Sequence, residues 1–350
     1  MSGVFLDWAA TSPIVRFPID TSKQWCNPNA AYAYEERKIL MDCEERIKAA
    51  IGAKGGHVLY FRCATDALEW LSVVTIAKTP GRWFAHSPYE HDAAVYGSMA
   101  MSNQLDGVDF YCHQLVNQLT GEIHDIKAVH ERLLQYDDVP FLICDCTAAI
   151  HHISLKAVKV CQYADVIVTS GHKHGCPDIA FMWVDDRLFN WLGGGKGVRN
   201  QWGLKHGSIS VGHVLALADA VEWACDSKRL NDMEHWYMQL FDYLCCGLKR
   251  ANIDFSIIAD MCPSTCAINA VRLNGLNADA LQQYAASKGV YIGVGGSACN
   301  AAGDFRVLNT YGLSNAEAAE VVRVSFGGSS NIDEVHELVK RIVEFKQMFA

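Results

Sequence analysis

Residues 165–175 read Asp-Val-Ile-Val-Thr-Ser-Gly-His-Lys-His-Gly. The first five make a short, largely β-branched run, the composition of a strand buried on both faces. Gly171 and Gly175 then punctuate a turn, and Lys173 stands between them beside Ser170, His172 and His174. A solvated lysine needs no such setting. A lysine held in a cleft past a buried strand can lose its proton and form a Schiff base with a carbonyl group.

Similar apolar runs lie at 57–61, 82–86, 141–144 and 179–184. Between the runs, helical periodicity predicts helices near 35–51, 66–77, 93–101, 126–134 and 155–162, and further on at 211–224 and 232–248. Strands alternating with helices predict an α/β fold whose mostly parallel sheet is covered by helices. After about residue 250 the texture changes. Strands are expected at 266–272, 290–293 and 321–326, with helices at 278–287 and 332–349, which reads as a smaller α+β domain. The 350 residues suffice for two domains.

In open α/β sheets, ligands sit beyond the carboxyl ends of the strands. After 57–61 comes Arg62-Cys63-Ala64-Thr65-Asp66, where Thr65 at a helix start suits an anion such as phosphate, or serves only as an N-cap. After 141–144 comes Asp145, which could pair with a pyridinium nitrogen. An anion cup, an acid and a Schiff-base lysine together describe a pyridoxal-phosphate site. No Gly-x-Gly-x-x-Gly follows the first run and no Walker pattern occurs, so nucleotide folds are disfavoured. His172, His174 and Cys176 leave a second reading, as metal ligands.

Half the residues are hydrophobic and a fifth are charged, which excludes a disordered chain. No stretch approaches the roughly 18 apolar residues of a transmembrane helix, and the opening residues lack the pattern of a signal peptide. The net charge of −9 and the lack of a Lys/Arg cluster disfavour direct nucleic-acid binding. Fourteen cysteines without an export signal or zinc spacing read as reduced thiols, most of them small core residues, in a cytoplasmic enzyme.

The chain resembles the cysteine desulfurases of the class V aminotransferase family, collinearly over nearly its whole length. Leu6-Asp7-Trp8-Ala9-Ala10-Thr11 resembles the family's Leu-Asp-Asn-Ala-Ala-Thr, and Asn27-Pro28-Asn29 its Asn-Pro-Ser. Ala64-Thr65-Asp66 resembles Ala-Thr-Glu, and Glu90-His91 the Glu-His whose imidazole stacks on the cofactor. Residues 117–125 resemble its Asn-Asn-Glu-x-Gly…Asp segment, Asp145-Cys146-Thr147 its Asp-Ala-Thr, and Lys205-His206-Gly207-Ser208 its Arg-Ser-Gly-Thr. Ser170-Gly171-His172-Lys173 matches Ser-Gly-His-Lys in full. Gly296-Ser297-Ala298-Cys299 resembles the loop that carries the persulfide cysteine, and Val322-Arg323-Val324-Ser325 the segment whose arginine holds the substrate carboxylate.

The resemblance implies the pyridoxal-phosphate-dependent transferase fold type I, with a large domain over 14–248 and a small one from 1–13 and 249–350. It implies L-cysteine, or another amino-acid-like substrate, and a sulfur-acceptor protein. Lys173 would hold pyridoxal 5'-phosphate, with Asp145 at its ring nitrogen and His91 stacked on the ring. Ala64, Thr65, Ser170 and His172 would line the phosphate, joined by Ser208 from the second subunit of a homodimer. Gln118 would face the phenolic oxygen, Asn27 and Arg323 would bind substrate, and Cys299 would take the sulfur. The glycines at 293, 295 and 296 would let the Cys299 loop swing.

Each residue also has a plainer role. His91 could cap the next helix, Asp145 could belong to a turn, Arg323 could be a surface strand residue, and Cys299 could be one more buried thiol. There are departures too: Trp8, Gln118, Ala148, Lys205 and Gly328 replace an Asn or Ser, an Asn, a Gln, an Arg, and an Arg or Lys. They motivate the alternative of a class V relative, a decarboxylase, lyase or aminotransferase, acting on another amine. A non-catalytic scaffold or sulfur-carrier partner that kept the fold is a third reading.

Overall fold

A computed structural model describes residues 3–20, 22, 26–79, 83–97, 100–101, 107–176, 178–195, 200–295 and 305–348. In chain order its elements are β1 (Val4–Leu6), α1 (Tyr34–Ile51), β2 (His57–Phe61), α2 (Ala64–Lys78), β3 (Trp83–His86), α3 (Asp92–Gly97) and β4 (Ala100–Met101). Then come β5 (Val108–Gln114), α4 (Ile126–Leu133), β6 (Phe141–Asp145), β7 (Val166–Ser170), β8 (Ala180–Val184), α5 (Asp186–Leu192) and α6 (Val211–Ala224). The remainder is α7 (Ser227–Arg250), β9 (Phe255–Ile257), β10 (Ile268–Leu273), α8 (Ala278–Ser287), β11 (Val290–Val294), α9 (Arg306–Thr310), α10 (Asn315–Ala318), β12 (Val321–Ser325) and α11 (Ile332–Met348).

The chain divides into two compact units. The larger takes residues 14–115 and 125–230, and the smaller 1–13, 116–124 and 231–350. The junction at 230/231 lies in the first turn of α7, not at 248/249. The reason is that α7 lies on α11: Trp236 Nε1 donates to the Ser330 carbonyl at 2.9 Å, and the Tyr243 and His336 rings meet edge to face.

The larger unit holds a sheet in the order β2-β8-β7-β6-β5-β3-β4. β8 runs against β2 and β7, and the other neighbours are parallel. The carboxyl ends of β2, β3, β5, β6 and β7 therefore share one edge. Leu59, Phe61, Leu68, Leu71, Phe84, Phe110, Ile143, Val168 and Met182 form its core, each buried side chain contributing about 1.5–3 kcal/mol.

Three expectations change. β5 was hidden by Asp109, His113 and Gln114, which break the apolar run; its seven residues are all buried in the sheet, with Asp109 taking a hydrogen bond from Thr79. The helix expected at 93–101 is α3 followed by β4, as Gly97 ends it early. The helix expected at 155–162 is a chain of turns, with only one 3-10 turn at Val160–Gln162. Lys159 just before that turn takes a left-handed φ of 56°, which no α-helix holds.

The smaller unit carries the sheet β1-β11-β12-β10-β9, in which β1 and β11 are parallel and the other pairs antiparallel. A core of Leu119, Ile258, Ala270, Val307, Leu308, Ala318 and Val321 packs within this unit. No helix among the described residues is long and apolar enough to cross a membrane.

Candidate active site

The turn carrying Lys173 is shaped by what surrounds Gly171. Its N–H donates to the Ile179 carbonyl at 2.9 Å, and its carbonyl accepts from Cys176 at 3.0 Å. A Cβ there would stand 2.5 Å from the Cys176 carbonyl oxygen and 2.7 Å from that of Ile179, so only glycine fits. The chain then makes a 3-10 turn, Gly171–His174, closed by Gly175 at φ 85°. Lys173 thus sits just past the carboxyl end of β7, with buried Ser170 at the head of the turn.

The neighbouring strand end supplies the acid. Asp145 closes β6 and is buried; one carboxylate oxygen accepts the Thr147 N–H at 2.8 Å. The turn reading of Asp145 holds for that oxygen alone; the other takes no bond from a described residue. The Thr147 hydroxyl beside it is buried without a partner.

Past the end of β2, α2 begins. Its N-cap is Cys63, whose sulfur accepts from the Asp66 N–H at 3.5 Å; Thr65 lies inside the first turn and is not the cap. The N–H groups of Ala64 and Thr65 make no hydrogen bond among the described residues. They offer donors at the positive end of a helix, which suits a phosphate.

Past β3, His91 does cap its helix: Nδ1 accepts the Ala93 N–H at 3.1 Å. The neutral ring therefore carries its proton on Nε2. Its loop is tied down by Glu90, fully buried, which accepts the Gln114 N–H at 2.6 Å and the Ser87 hydroxyl at 2.8 Å. The His172 imidazole is pushed down to about 4 by burial, with the Lys173 and His91 charges adding to it.

Behind Lys173 lies a feature that sequence reasoning did not reach. His151, His152 and His174 pack together, with His151 and His152 ring centroids 3.9 Å apart. Burial pushes His152 and His174 down to about 3. His174 turns into this cluster, and the described residues hold no group of three or more His, Cys, Asp or Glu placed for a metal ion.

Asn27 is exposed, its side-chain oxygen taking the Asn29 N–H at 3.0 Å. Ser208 is exposed at a cavity of about 240 Å³ shared with Arg62, Lys205 and His206. Cys299 and its Gly296-Ser297-Ala298 flank lie outside the described residues. The thirteen described cysteines are all unpaired, and burial raises the thiol of most of them, Cys43 and Cys176 to about 12.

In the smaller unit, Arg323 is buried in β12 with only 1% of its surface exposed. It is not a surface strand residue. Its Nη2 and Nε donate to Asp7 Oδ1 at 2.6 and 3.2 Å, and Nη1 to the Gln118 carbonyl at 3.1 Å. The Gln118 side-chain amide is buried, and neither of its atoms has a partner among the described residues. Trp8 lies where a Cβ on Gly327 would stand, 2.0 Å from its Cδ2, so the indole fills the place of an absent side chain. Gly293 and Gly295 are likewise close approaches, not free hinges: Cβ atoms there would meet Asp7 and Arg323, or Leu308 and the Val321 carbonyl. Asp7 and Glu90 each stand inside or beside a quoted motif, but only the structure shows what they hold. Thr147 closes the quoted Asp145-Cys146-Thr147 motif, but the sequence gives it no role of its own.

Phosphate donors, a carboxylate with a free oxygen and a lysine on a rigid turn fit pyridoxal phosphate. The Thr147 hydroxyl, buried with no partner among the described residues, fits a site that expects a polar ligand. Fold and site define a protein of the pyridoxal-phosphate-dependent transferase fold type I. A NIFS-like protein superposes with a TM-score of 0.79 at 18% identity, over 99% of this chain and 100% of its own. A NifS-like protein from Rickettsia africae gives 0.81 at 14%, over 99% of each chain. In sequence, the NifS protein of Halalkalibacterium halodurans is 23% identical over 96% of each chain. Cysteine desulfurase IscS of Shewanella frigidimarina is 27% identical over 65% of this chain and 55% of its own. The aminotransferase class V family matches residues 106–338, and the chain belongs to that family.

Proposed function

We propose that this protein is a cysteine desulfurase that binds pyridoxal 5'-phosphate through Lys173, releases L-alanine from L-cysteine and keeps the sulfur as a persulfide on Cys299. The observation that carries the cofactor assignment is the Lys173 turn, closed by Gly171 on two backbone carbonyls, at the sheet edge that also holds Asp145 and the open start of α2. The sulfur chemistry is supported by the Ser-Ala-Cys motif and by the relatives named as desulfurases.

The cofactor, when bound, supplies an electron sink for carbanion chemistry at the substrate's Cα. Lys173 would hold the cofactor and, as a free amine, would move the substrate's Cα proton. Asp145 would offer its other carboxylate oxygen to the cofactor's ring nitrogen and favour its protonated form. His91, its Nδ1 occupied by the helix cap, would stack its ring on the cofactor and keep Nε2 for passing a proton. Ala64 and Thr65 give N–H donors to the phosphate, and Ser170 and His172 flank it. Ser208 is exposed, as reaching a partner subunit's phosphate in a homodimer requires. Arg323 holds the substrate carboxylate, Gln118 offers its amide to a polar ligand atom, and Asn27 belongs to the substrate side.

The Cys299 thiolate forms an S–S bond to the substrate sulfur. The Cβ–S bond breaks, its electron pair stays with carbon, and a proton completes L-alanine. A thiol, on a sulfur-acceptor protein in the cytoplasm, then takes the outer sulfur.

The test is to incubate the yellow protein with L-cysteine and a reducing thiol and to measure alanine and sulfide together. Equal release, lost in Cys299→Ser with the colour retained, is the expected outcome. A yellow protein yielding neither product refutes the reading. It would favour the second one, a class V enzyme acting on another amine, which Ala148 and the lone Gln118 amide support.

A further inference from the structure

Arg323 brings a cation into the interior, and a buried cation needs a fixed partner. Asp7 is that partner, and its geometry is specific. One carboxylate oxygen takes both Nε–H and Nη2–H, the side edge of the guanidinium, while Nη1 is held by the Gln118 carbonyl. Three of the five N–H groups are thereby placed. One remains on each terminal nitrogen, the pair a carboxylate can meet as a fork.

The backbone is arranged around this pair. Gly293 of β11 lies opposite Arg323 of β12, and a Cβ there would stand 2.8 Å from Asp7 Oδ1, 2.9 Å from Nε and 3.1 Å from Nη2. Asp7 is pinned by its bridge to Ser325, two residues beyond Arg323. The carboxylate, the guanidinium and the missing side chain come from three separate strands or strand ends and are explained only together.

We infer that Asp7 is a positioning residue: it clamps the side edge of Arg323 so that the remaining N–H pair is presented to a ligand carboxylate. The inference rests on the carboxylate-binding reading of Arg323. Asp7 acts here through its hydrogen-bond geometry. Its charge opposes an incoming anion, so geometry and charge predict opposite responses to a neutral isostere.

The test is titration of the holoenzyme with L-alanine and with ethylamine, which has the amine but no carboxylate, followed by the cofactor's visible absorbance. Asp7→Ala should weaken L-alanine about tenfold or more, as expected for loss of a charge-assisted bond. Asp7→Asn, which keeps the accepting oxygen, should recover most of that affinity. Asp7→Glu, one methylene longer, displaces the guanidinium and should weaken L-alanine like the alanine variant, so the answer survives if Asp7→Ala fails to fold. Ethylamine affinity should not move. With Arg323→Met in place, Asp7→Ala should add nothing.

The inference is overturned if Asn and Ala weaken L-alanine equally, if ethylamine weakens in parallel, or if the loss persists without Arg323. A wild-type protein that binds L-alanine no better than ethylamine also overturns it. Normal L-alanine binding without sulfide release from L-cysteine sinks the desulfurase reading alone.

Discussion

Acidification from pH 7 to pH 5 should remove about 4 kcal/mol of stability through His152 and His174. Both rings are buried, and burial pushes each down to about 3, with the Arg229 charge adding to both. In the unfolded chain each titrates near 6.5. Between 6.5 and 3 the unfolded state therefore binds more protons than the folded one, so stability rises with pH and falls on acidification. At pH 5 neither ring is protonated in the fold, so the loss is set by the 1.5 units below the unfolded value, about 2 kcal/mol per ring. His151, displaced in the same direction by burial, adds to the same sign. Against a typical stability of about 5–15 kcal/mol, this is a large fraction. Urea unfolding at the two pH values and equal ionic strength measures it, and His174→Leu should shrink the loss by about 2 kcal/mol. Equal or greater stability at pH 5, or an undiminished loss in His174→Leu, would refute the reasoning.

Three further outcomes are expected. Gly327→Ala forces a Cβ into the Trp8 ring and should cost about 1–3 kcal/mol or more, Trp8→Ala alone about 3–5 kcal/mol, and the pair clearly less than the sum. Strict additivity in thermal melts would show that the ring does not fill the glycine's place. Gly171→Ala should open the Lys173 turn, because its Cβ would meet two backbone carbonyls, and the purified protein should lose most of its visible absorbance per chain; full colour would contradict that account. Gln118→Leu removes two buried unpartnered atoms and should raise the melting temperature of the cofactor-free protein while lowering the gain on adding cofactor. A cofactor-free protein melting lower than wild type would show that the amide is satisfied without a ligand.

The parts of the fold legible in the sequence were those where one period dominates. β7, just before Lys173, is buried throughout and has no polar residue before Thr169, so it reads as a strand. β5 is just as buried, but its Asp109, His113 and Gln114 erase the signal, since their partners are distant in sequence. The candidate residues at strand ends stand out in the sequence because Asp145 and Lys173 follow apolar runs. The sequence puts Thr65 in the right turn, but the cap belongs to Cys63, a weaker acceptor that propensity does not favour. The His151–His152–His174 cluster needed the fold, because 151–152 and 174 meet only when β6 and β7 pair.

The departures from the family pattern fall into two physical kinds, and only one bears on chemistry. Trp8 packs directly over Gly327, a position that is not itself a departure, both in the smaller unit. Gln118 and Ala148 are different. Ala148 removes an amide from the segment that follows Asp145, leaving the Thr147 hydroxyl as the buried donor there without a partner. Gln118 keeps an amide, buried with both atoms unmatched, at a cost of about 1–3 kcal/mol for each unsatisfied group. A sequence under no demand at this position would replace that amide with an apolar side chain of similar volume. That it stands there unpaired, on the same residue whose carbonyl steadies Arg323, argues that a ligand completes it.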